Sequence, residues 1–475
     1  MAFYPLQVFP RTLLYKKNNF YVSPSVNSLI TLSKSRNNNS NSSSLDSSAK
    51  TKSKVASVSA WPLRRLPTAA LIRTVFLGRL FASPMLSRFG MSVLRKLADS
   101  HQPLLDPDRN KLLNRVLRSV IYNHFCAGTE PLEIRKTISD IKGVGYAGVI
   151  LNYAREIIAH ELVESDPNVD ISAQQIQHWL DGNLKTLSML GRGDYIGIKY
   201  TGAGGRVASA LTANEKPPQQ FEDALDIICK QAKTQGTRIL VDAEQQVYQP
   251  TIDEWTIDVM RKYNRGGDAL VLNTYQSYLK ESRNIIRSHL EIAHKEGWTL
   301  GIKLVRGAYI LNDVRDRIHD TKSDTDASYN GIAHDLLMRS FDGISGTNFP
   351  DIKLFLAGHN ADSIRRAAQL HRSLTLHGLN PGVLEFGQLY GMADHVSGEL
   401  LASNESSQRC EGLSAEQAAV AAPHVFKCVN WGTVRECLHF LMRRAAENQG
   451  ATERLRDGLV EAKRELKARF FRTAR

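Results

Sequence analysis

The chain has 475 residues, of which 42% are apolar; that is enough to bury a sizeable core and excludes a disordered protein. Its formal net charge of +13 would suit an anionic partner such as nucleic acid, but the charge is unevenly placed. Residues 1–75 hold eleven Lys and Arg against the single acid Asp46, a balance of +10, which leaves only +3 for the other 400 residues and no basic excess for nucleic acid on the folded part.

That first stretch, 1–75, is acid-poor, basic and rich in Ser and Asn (SRNNNSNSSSLDSSAK), the composition of a mitochondrial transit peptide followed by a disordered leader. The apolar run at 68–90 is broken by Arg73, Arg79 and Arg88, so it cannot span a bilayer, although its composition suits a surface contact with one. Residues 76–190 read as a helical arm: VLRKLADSH, RNKLLNRVLRSVIYNHF, PLEIRKTISDIKG, YAGVILNYAREIIAHELV and AQQIQHWLDGNLKTLSML. Over 191–455 the texture changes to short apolar runs, YIGIKYTG, RILVDAE, DALVLNTYQ, TLGIKLVRGAY, IKLFLAGHN, GVLEFGQLYG and HVFKCVNWG, alternating with helical stretches. Such alternation predicts a parallel sheet covered by helices, an α/β fold of the (βα)₈ kind, with only seven strands assignable and the eighth missing or irregular. Residues 456–475 close the chain as a basic amphipathic helix, read as a packing helix.

Polar residues collect where a barrel gathers its site, at or just past the carboxyl ends of the apolar runs: Lys199, Asp242, Gln276, Arg306, Tyr309, His359, Asn360 and Gln388. Asp242, Glu244, His359 and His424 could be metal ligands of a barrel hydrolase, but no HxH or HExxH pair is present and the cations Lys199, Lys303 and Arg306 at the same mouth would repel a divalent ion; no metal is expected. TGAGGR at 201–206 lacks the spacing of a phosphate loop and no helix is expected directly after it, so it reads as a flexible lid. Five cysteines without a CxxC pair suit a reducing compartment. In TVRECLHFLMRRAAENQG a helical wheel centres the apolar stripe on Leu441 and Ala445, with Arg444 at its edge and Arg443 about 100° further round. Both arginines reach one anion only if this helix lies across the mouth. A mouth rich in cations, with Asp242 as its buried acid, suits a small carboxylic acid, a phosphate-bearing cofactor, or both.

Taken together, VDAEQQVYQP, NTYQSYLK, IKLVRGAYI, AGHN, EFGQLYGM and WGTVRECLHFLMRRAAENQGA resemble, in order, the signatures of the mitochondrial proline dehydrogenase family, and FCAGT with GVGYAGVILNYAREI is similar to its helical opening. The resemblance covers roughly residues 105–455 and implies a distorted (βα)₈ barrel that binds FAD, with the last helix over the mouth. It also implies oxidation of L-proline to 1-pyrroline-5-carboxylate, electrons passing to quinone, a matrix location and peripheral contact with the inner membrane. Carried over by motif, Arg443 and Arg444 grip the proline carboxylate, Lys199 assists, Asp242 holds the cationic side chains, Tyr309 shapes the pocket and Leu389 packs on the substrate ring. Gln276, Lys303, Val305, Gly307, Lys322, His359, Asn360 and Gln388 then fall to the flavin. Cys428 stands where many relatives carry a pocket tyrosine, which leaves hydroxyproline as an alternative substrate. Gly358 replaces a hydroxyl residue of the family's strand end, so one phosphate or ribose contact is expected to be missing.

Overall fold

A computed structural model describes residues 62–153, 171–408, 420–447 and 451–473. Most of the expected leader, residues 1–61, lies outside them. Eight parallel strands close into a barrel: β1 (Gly148–Tyr153), β2 (Tyr195–Ile198), β3 (Arg238–Val241), β4 (Val271–Gln276), β5 (Leu300–Val305), β6 (Ile352–Ala357), β7 (Leu384–Leu389) and β8 (His424–Trp431). Each pairs with its neighbours in sequence, and β1 closes the ring against β8, from Gly148 opposite Phe426 to Tyr153 opposite Trp431.

The eighth strand is therefore present, inside the stretch read as helical arm. GVILNY pairs with strands on both sides and is buried at Gly148 to Leu151. A strand covered on both faces shows no alternation of polar and apolar residues, so its apolar run cannot be told from a buried helix by periodicity.

The lower barrel is filled by Ile150, Tyr195, Leu240, Leu272, Phe355 and Phe426, with Tyr195 edge-on to Phe355 and Phe426 at ring separations of 5.4 and 5.2 Å. Room for those rings comes from strand glycines: a Cβ on Gly387 would stand 2.5 Å from the Phe355 ring, and one on Gly148 would stand 2.9 Å from Phe426. Below them Glu385, buried and hydrogen-bonded by Tyr195 and by Lys353 at 3.1 Å, closes the floor. With the lower half plugged, open space is confined to the carboxyl-terminal end.

Outside the barrel, the arm contributes α1 (Thr68–Ala82), α2 (Pro84–Asp99), α3 (Lys111–Leu117), α4 (Pro131–Val144) and α5 (Ile171–Ser188). The helices between strands are α6 (Gly205–Ala213) and α7 (Gln219–Gln235) after β2, then α8 (Gln249–Tyr263), α9 (Ser282–Glu296), α10 (Lys322–Leu337), α11 (Ala361–Leu376) and α12 (Asp394–Gln408), one after each of the next five strands. After β8 come α13 (Val434–Glu447) and α14 (Ala451–Thr473). Leu77, Ala98, Leu117 and Tyr122 of the arm pack with Val434, Cys437, Leu438 and Met442 of α13 in one buried cluster. The terminal helix α14 runs antiparallel along α1, with Leu459 against Gly78 at one end and Arg469 donating to the Thr68 hydroxyl at 2.8 Å at the other. Among the described residues no single helix is long and apolar enough to cross a membrane, and the outer sides of α1 and α2 expose Ile72, Phe76, Met85 and Phe89.

Candidate active site

The space above the plugged barrel is a cavity of about 1610 Å³ at the carboxyl ends of the strands. It is larger than the ~300–1,000 Å³ of an ordinary small-ligand pocket, which leaves room for a dinucleotide beside a small acid. Of the fifteen residues that the family resemblance assigns to substrate or flavin, fourteen line it: Lys199, Asp242, Gln276, Lys303, Val305, Gly307, Tyr309, Lys322, His359, Asn360, Gln388, Leu389, Cys428 and Arg443. The fifteenth, Arg444, belongs to α13, but its side chain lies outside the described residues.

Two strand ends supply the central ion pair. Lys303 on β5 donates to Asp242, just past β3, at 2.6 Å, both side chains being largely shielded from solvent. Asp242 is only half-buried, and the buried acid of the mouth is instead Glu244. Its carboxylate accepts from the Thr201 amide at 3.0 Å and from the Thr201 hydroxyl. Burial raises the Glu244 carboxyl above its ordinary pKa, against the opposing pull of Lys199 and the Thr201 bonds. Through that contact the 201–206 loop is tied to β3. A helix does follow it directly, since α6 begins at Gly205, with Gly204 at φ +108° making the turn.

Amides set the polarity of the walls. Gln276 bridges two loops, donating to the Glu244 carbonyl at 3.1 Å and accepting from the Ala308 amide at 3.2 Å. Lys427 is buried behind β8, and its ammonium donates to Asp394 at 2.6 Å, Ser397 Oγ at 2.9 Å and the Met392 carbonyl at 3.2 Å. An ammonium only donates, so Ser397 is free to give its own proton to Gln388 Oε1 at 2.9 Å, which turns the Gln388 amide nitrogen toward the Gly358 carbonyl at the cavity wall. His359 Nε2 accepts from the Leu389 amide at 3.0 Å, which places the proton of a neutral ring on Nδ1.

The far end suits an anion. Helices α10 and α11 both begin at the cavity, where their amino-terminal N–H groups carry partial positive charge. Asn360 caps α11 by accepting from the Ser363 amide at 3.1 Å, and Lys322 opens α10 while reaching Asp326 at 2.6 Å. Beside them Arg306 binds Asp326 at 2.8 Å and Ser363 at 2.7 Å, and a Cβ on Gly358 would meet the Arg306 guanidinium at 3.4 Å. This donor set fits a group with a flat polar ring at one end and phosphates at the other.

Arg443 and Phe440 bring α13 to the cavity, while the buried side of that helix faces the arm. Its stripe is Val434, Cys437, Leu438 and Met442; Leu441 is half-buried and Ala445 exposed, so the wheel centre expected from sequence is displaced. Asn152 and Asn430, adjacent in the β1–β8 register, also line the cavity, and Asn152 donates to Cys428 Sγ at 3.2 Å. Neither asparagine stands out in the sequence, because β1 has the spacing of a helix and Asn430 lies inside an apolar run. His424 starts β8 at the opposite end of the barrel, 3.9 Å from Glu385, and so does not join the mouth residues. Among the described residues no group of three or more His, Cys, Asp or Glu is arranged to hold a metal ion.

A family model described as proline dehydrogenase matches residues 134–457. The chain belongs to the proline dehydrogenase family. It is 27% identical over 422 residues to the probable mitochondrial proline dehydrogenase of Schizosaccharomyces pombe, covering 76% of this chain and 81% of that one. Identity is 34% over 232 residues with mitochondrial proline dehydrogenase 1 of Homo sapiens, covering 47% of this chain and 34% of the other, and 25% over 465 residues with the hydroxyproline dehydrogenase of Mus musculus, covering 86% and 93%. In fold it is similar to proline utilization A of Bdellovibrio bacteriovorus inactivated by N-propargylglycine, with a TM-score of 0.59 at 15% identity, covering 78% of this chain and 37% of that chain.

Removing one partner of a shielded ion pair leaves the other charge without compensation. Lys303→Met should therefore lower unfolding free energy by roughly 1–3 kcal/mol, discounted for the partial exposure of the pair, and adding Asp242→Asn should restore most of it. Thermal or urea unfolding of the two variants checks this; a double variant no more stable than the single one contradicts a coupled pair.

Proposed function

We propose that this member of the family is a FAD-dependent proline dehydrogenase that oxidises L-proline to 1-pyrroline-5-carboxylate, the first step of proline breakdown toward glutamate, and passes the electrons to quinone. The observation that carries the reading is the gathering of cationic and amide side chains into one closed barrel mouth, in a chain whose family is proline dehydrogenase. Flavin, when bound, supplies the two-electron acceptor for hydride leaving the ring carbon next to the substrate nitrogen.

The protein's own task is positioning. A proline that arrives with its amine neutral needs no strong base, because the nitrogen lone pair forms the C=N bond as hydride departs. Arg443, with Arg444 and Lys199, anchors the carboxylate, and Arg is suited to this because its guanidinium can pair with both oxygens. Asp242 holds Lys303 in place and lowers the charge repulsion among the cations around it. Gln276, Lys303, Val305, Gly307 and Gln388 would hold the flavin ring, while Lys322, His359 and Asn360 at the ends of α10 and α11 would hold its phosphate-bearing portion. Tyr309, Leu389 and Cys428 form the walls against the substrate ring, and α13 excludes water.

A second substrate has a specific observation in its favour. The Cys428 side chain, smaller than the tyrosine of many relatives, takes a hydrogen bond from Asn152 and leaves a polar margin for the hydroxyl of hydroxyproline. The hydroxyproline dehydrogenase of Mus musculus also aligns across most of the chain. Proline remains the principal reading.

Mitochondrial import is proposed from the basic, acid-poor composition of residues 1–75 and from relatives named as mitochondrial. Peripheral contact with the inner membrane is proposed from the exposed apolar residues of α1 and α2, which carry Arg73, Arg79, Arg88 and Arg95 and no acid before Asp99. A fusion of residues 1–75 to a fluorescent protein should concentrate in mitochondria, and cytosolic fluorescence would contradict import. For the substrate anchor, Arg443→Met should lower kcat/KM for proline about 100-fold, chiefly through KM, with flavin content unchanged. Unaltered KM in a folded, flavin-loaded variant would retire that role.

A further inference from the structure

Behind the cavity wall formed by β7 and β8 lies a buried lysine. Lys427 is 1% exposed, and Ser397 and Gln388 beside it are 0% and 1% exposed. Strand geometry explains the placement: Cys428 faces the cavity, so Lys427, one residue earlier, points to the outer side of β8 and meets α12. All three ammonium protons are used there, on Asp394 at 2.6 Å, Ser397 Oγ at 2.9 Å and the Met392 carbonyl at 3.2 Å. The Tyr146 ring stands 5.3 Å from the same nitrogen.

Stability is a poor reason for this arrangement, because a buried ion pair loses in hydration much of what it gains, and apolar residues fill such a space as well. What the lysine settles is the direction of each hydrogen bond. An ammonium cannot accept, so the Ser397 oxygen takes a proton from it and the serine's own proton goes elsewhere. Two acceptors are in reach, Gln388 Oε1 at 2.9 Å and the Ala393 carbonyl at 3.4 Å, and the shorter contact is to Gln388. With its oxygen held from behind, Gln388 turns its amide nitrogen toward the cavity wall, where the bond to the Gly358 carbonyl is long, at 3.4 Å. Of the four side chains in this line, Asp394, Lys427, Ser397 and Gln388, only Gln388 lines the cavity. Its amide is thereby set to donate to an atom in the cavity and not to accept from one.

We propose that Lys427 and Ser397 are positioning residues for the redox cofactor, committing Gln388 to donate a hydrogen bond to an acceptor atom of the flavin ring. The inference rests on the flavin-dependent reading and deepens it, giving a role to two buried residues that do not line the cavity. The oxygens and nitrogens of a flavin ring gain negative charge on reduction, and a donor held toward them favours the reduced form. An amide free to rotate presents its oxygen part of the time and repels that charge. Here the orientation is set when the chain folds, so no reorganisation is needed at the moment of reaction.

The test uses the full-length, flavin-loaded protein carrying Ser397→Ala, with Ser397→Thr and Lys427→Gln made separately. The first removes the hydroxyl and leaves Lys427 paired with Asp394, and the second keeps a hydroxyl in place. The third can still donate to Asp394 but can also accept the serine proton and so release Gln388. The flavin reduction potential is measured by anaerobic titration against a reference dye, without proline. Ser397→Ala and Lys427→Gln should each lower it by about 30 mV, the equivalent of about tenfold in a two-electron equilibrium, and Ser397→Thr should keep the original value. The kcat for proline should fall with the potential while KM stays, since the carboxylate anchor is untouched. If Ser397→Ala does not fold, Lys427→Gln carries the same expectation. An unchanged potential in a folded, flavin-loaded variant overturns the proposal. So does an equal fall in Ser397→Thr, which would assign the effect to packing and not to the hydroxyl proton. Absence of flavin absorbance from the unsubstituted protein overturns the flavin-dependent reading itself, so the two failures are distinguishable.

Discussion

The pairing of β1 with β8 is the contact on which the mouth of this barrel depends. It converts an open run of strands into a ring and brings Asn152 beside Asn430 and Ile150 beside Cys428. The arm is stitched to the same seam: the Ala127 amide donates to the Asn430 carbonyl at 2.7 Å, the Tyr122 hydroxyl to the Gly432 carbonyl at 2.7 Å and the Val434 amide to Asp108 at 2.9 Å. Chain leaving β8 is therefore delivered straight onto the arm helices. With its apolar stripe committed to Leu77, Ala98 and Leu117, α13 is left with Arg443 and Phe440 on the cavity.

A second constraint is electrostatic. Several cations in one recess repel one another and lose hydration, a cost offset only where carboxylates and fixed dipoles meet them. Asp242 serves Lys303, Asp326 serves both Arg306 and Lys322, and Glu244 is held by Thr201 within the field of Lys199. The remaining positive potential is directed at a ligand, and the amides of Gln276 and Gln388 are oriented by partners behind them. Preorganisation of this sort suits a reaction whose demand is placement.

Much of this was legible in the chain, for physical reasons that also explain the failures. Six of the seven apolar runs, from YIGIKYTG to GVLEFGQLYG, close on a polar residue, and that punctuation marks the barrel mouth. GVILNY carries the same mark in Asn152, but the run passes directly into AREIIAHELV, whose spacing continues as a helix would and hides it. Asp242 drew attention as the buried acid because it directly ends its strand, whereas Glu244, two residues on, is buried by a contact with Thr201 across 43 positions that no local pattern shows. The apolar stripe of the arginine helix is centred away from Leu441 and Ala445 because three arm helices cover Val434, Cys437, Leu438 and Met442, a contact that its own sequence does not encode. Lys427 and Ser397 left no signal at all: a lysine inside an apolar strand looks like an interruption until its three acceptors are seen.

The central claim, that this mouth holds a flavin next to an imino acid, is tested most directly by the absorption spectrum of the purified full-length protein during anaerobic titration. The account predicts flavin bands in the visible region that are lost on adding L-proline, at lower concentrations than with hydroxyproline. Absence of flavin absorbance, or bands that persist with both imino acids, would contradict it, and loss at lower concentrations of hydroxyproline would overturn the choice of substrate.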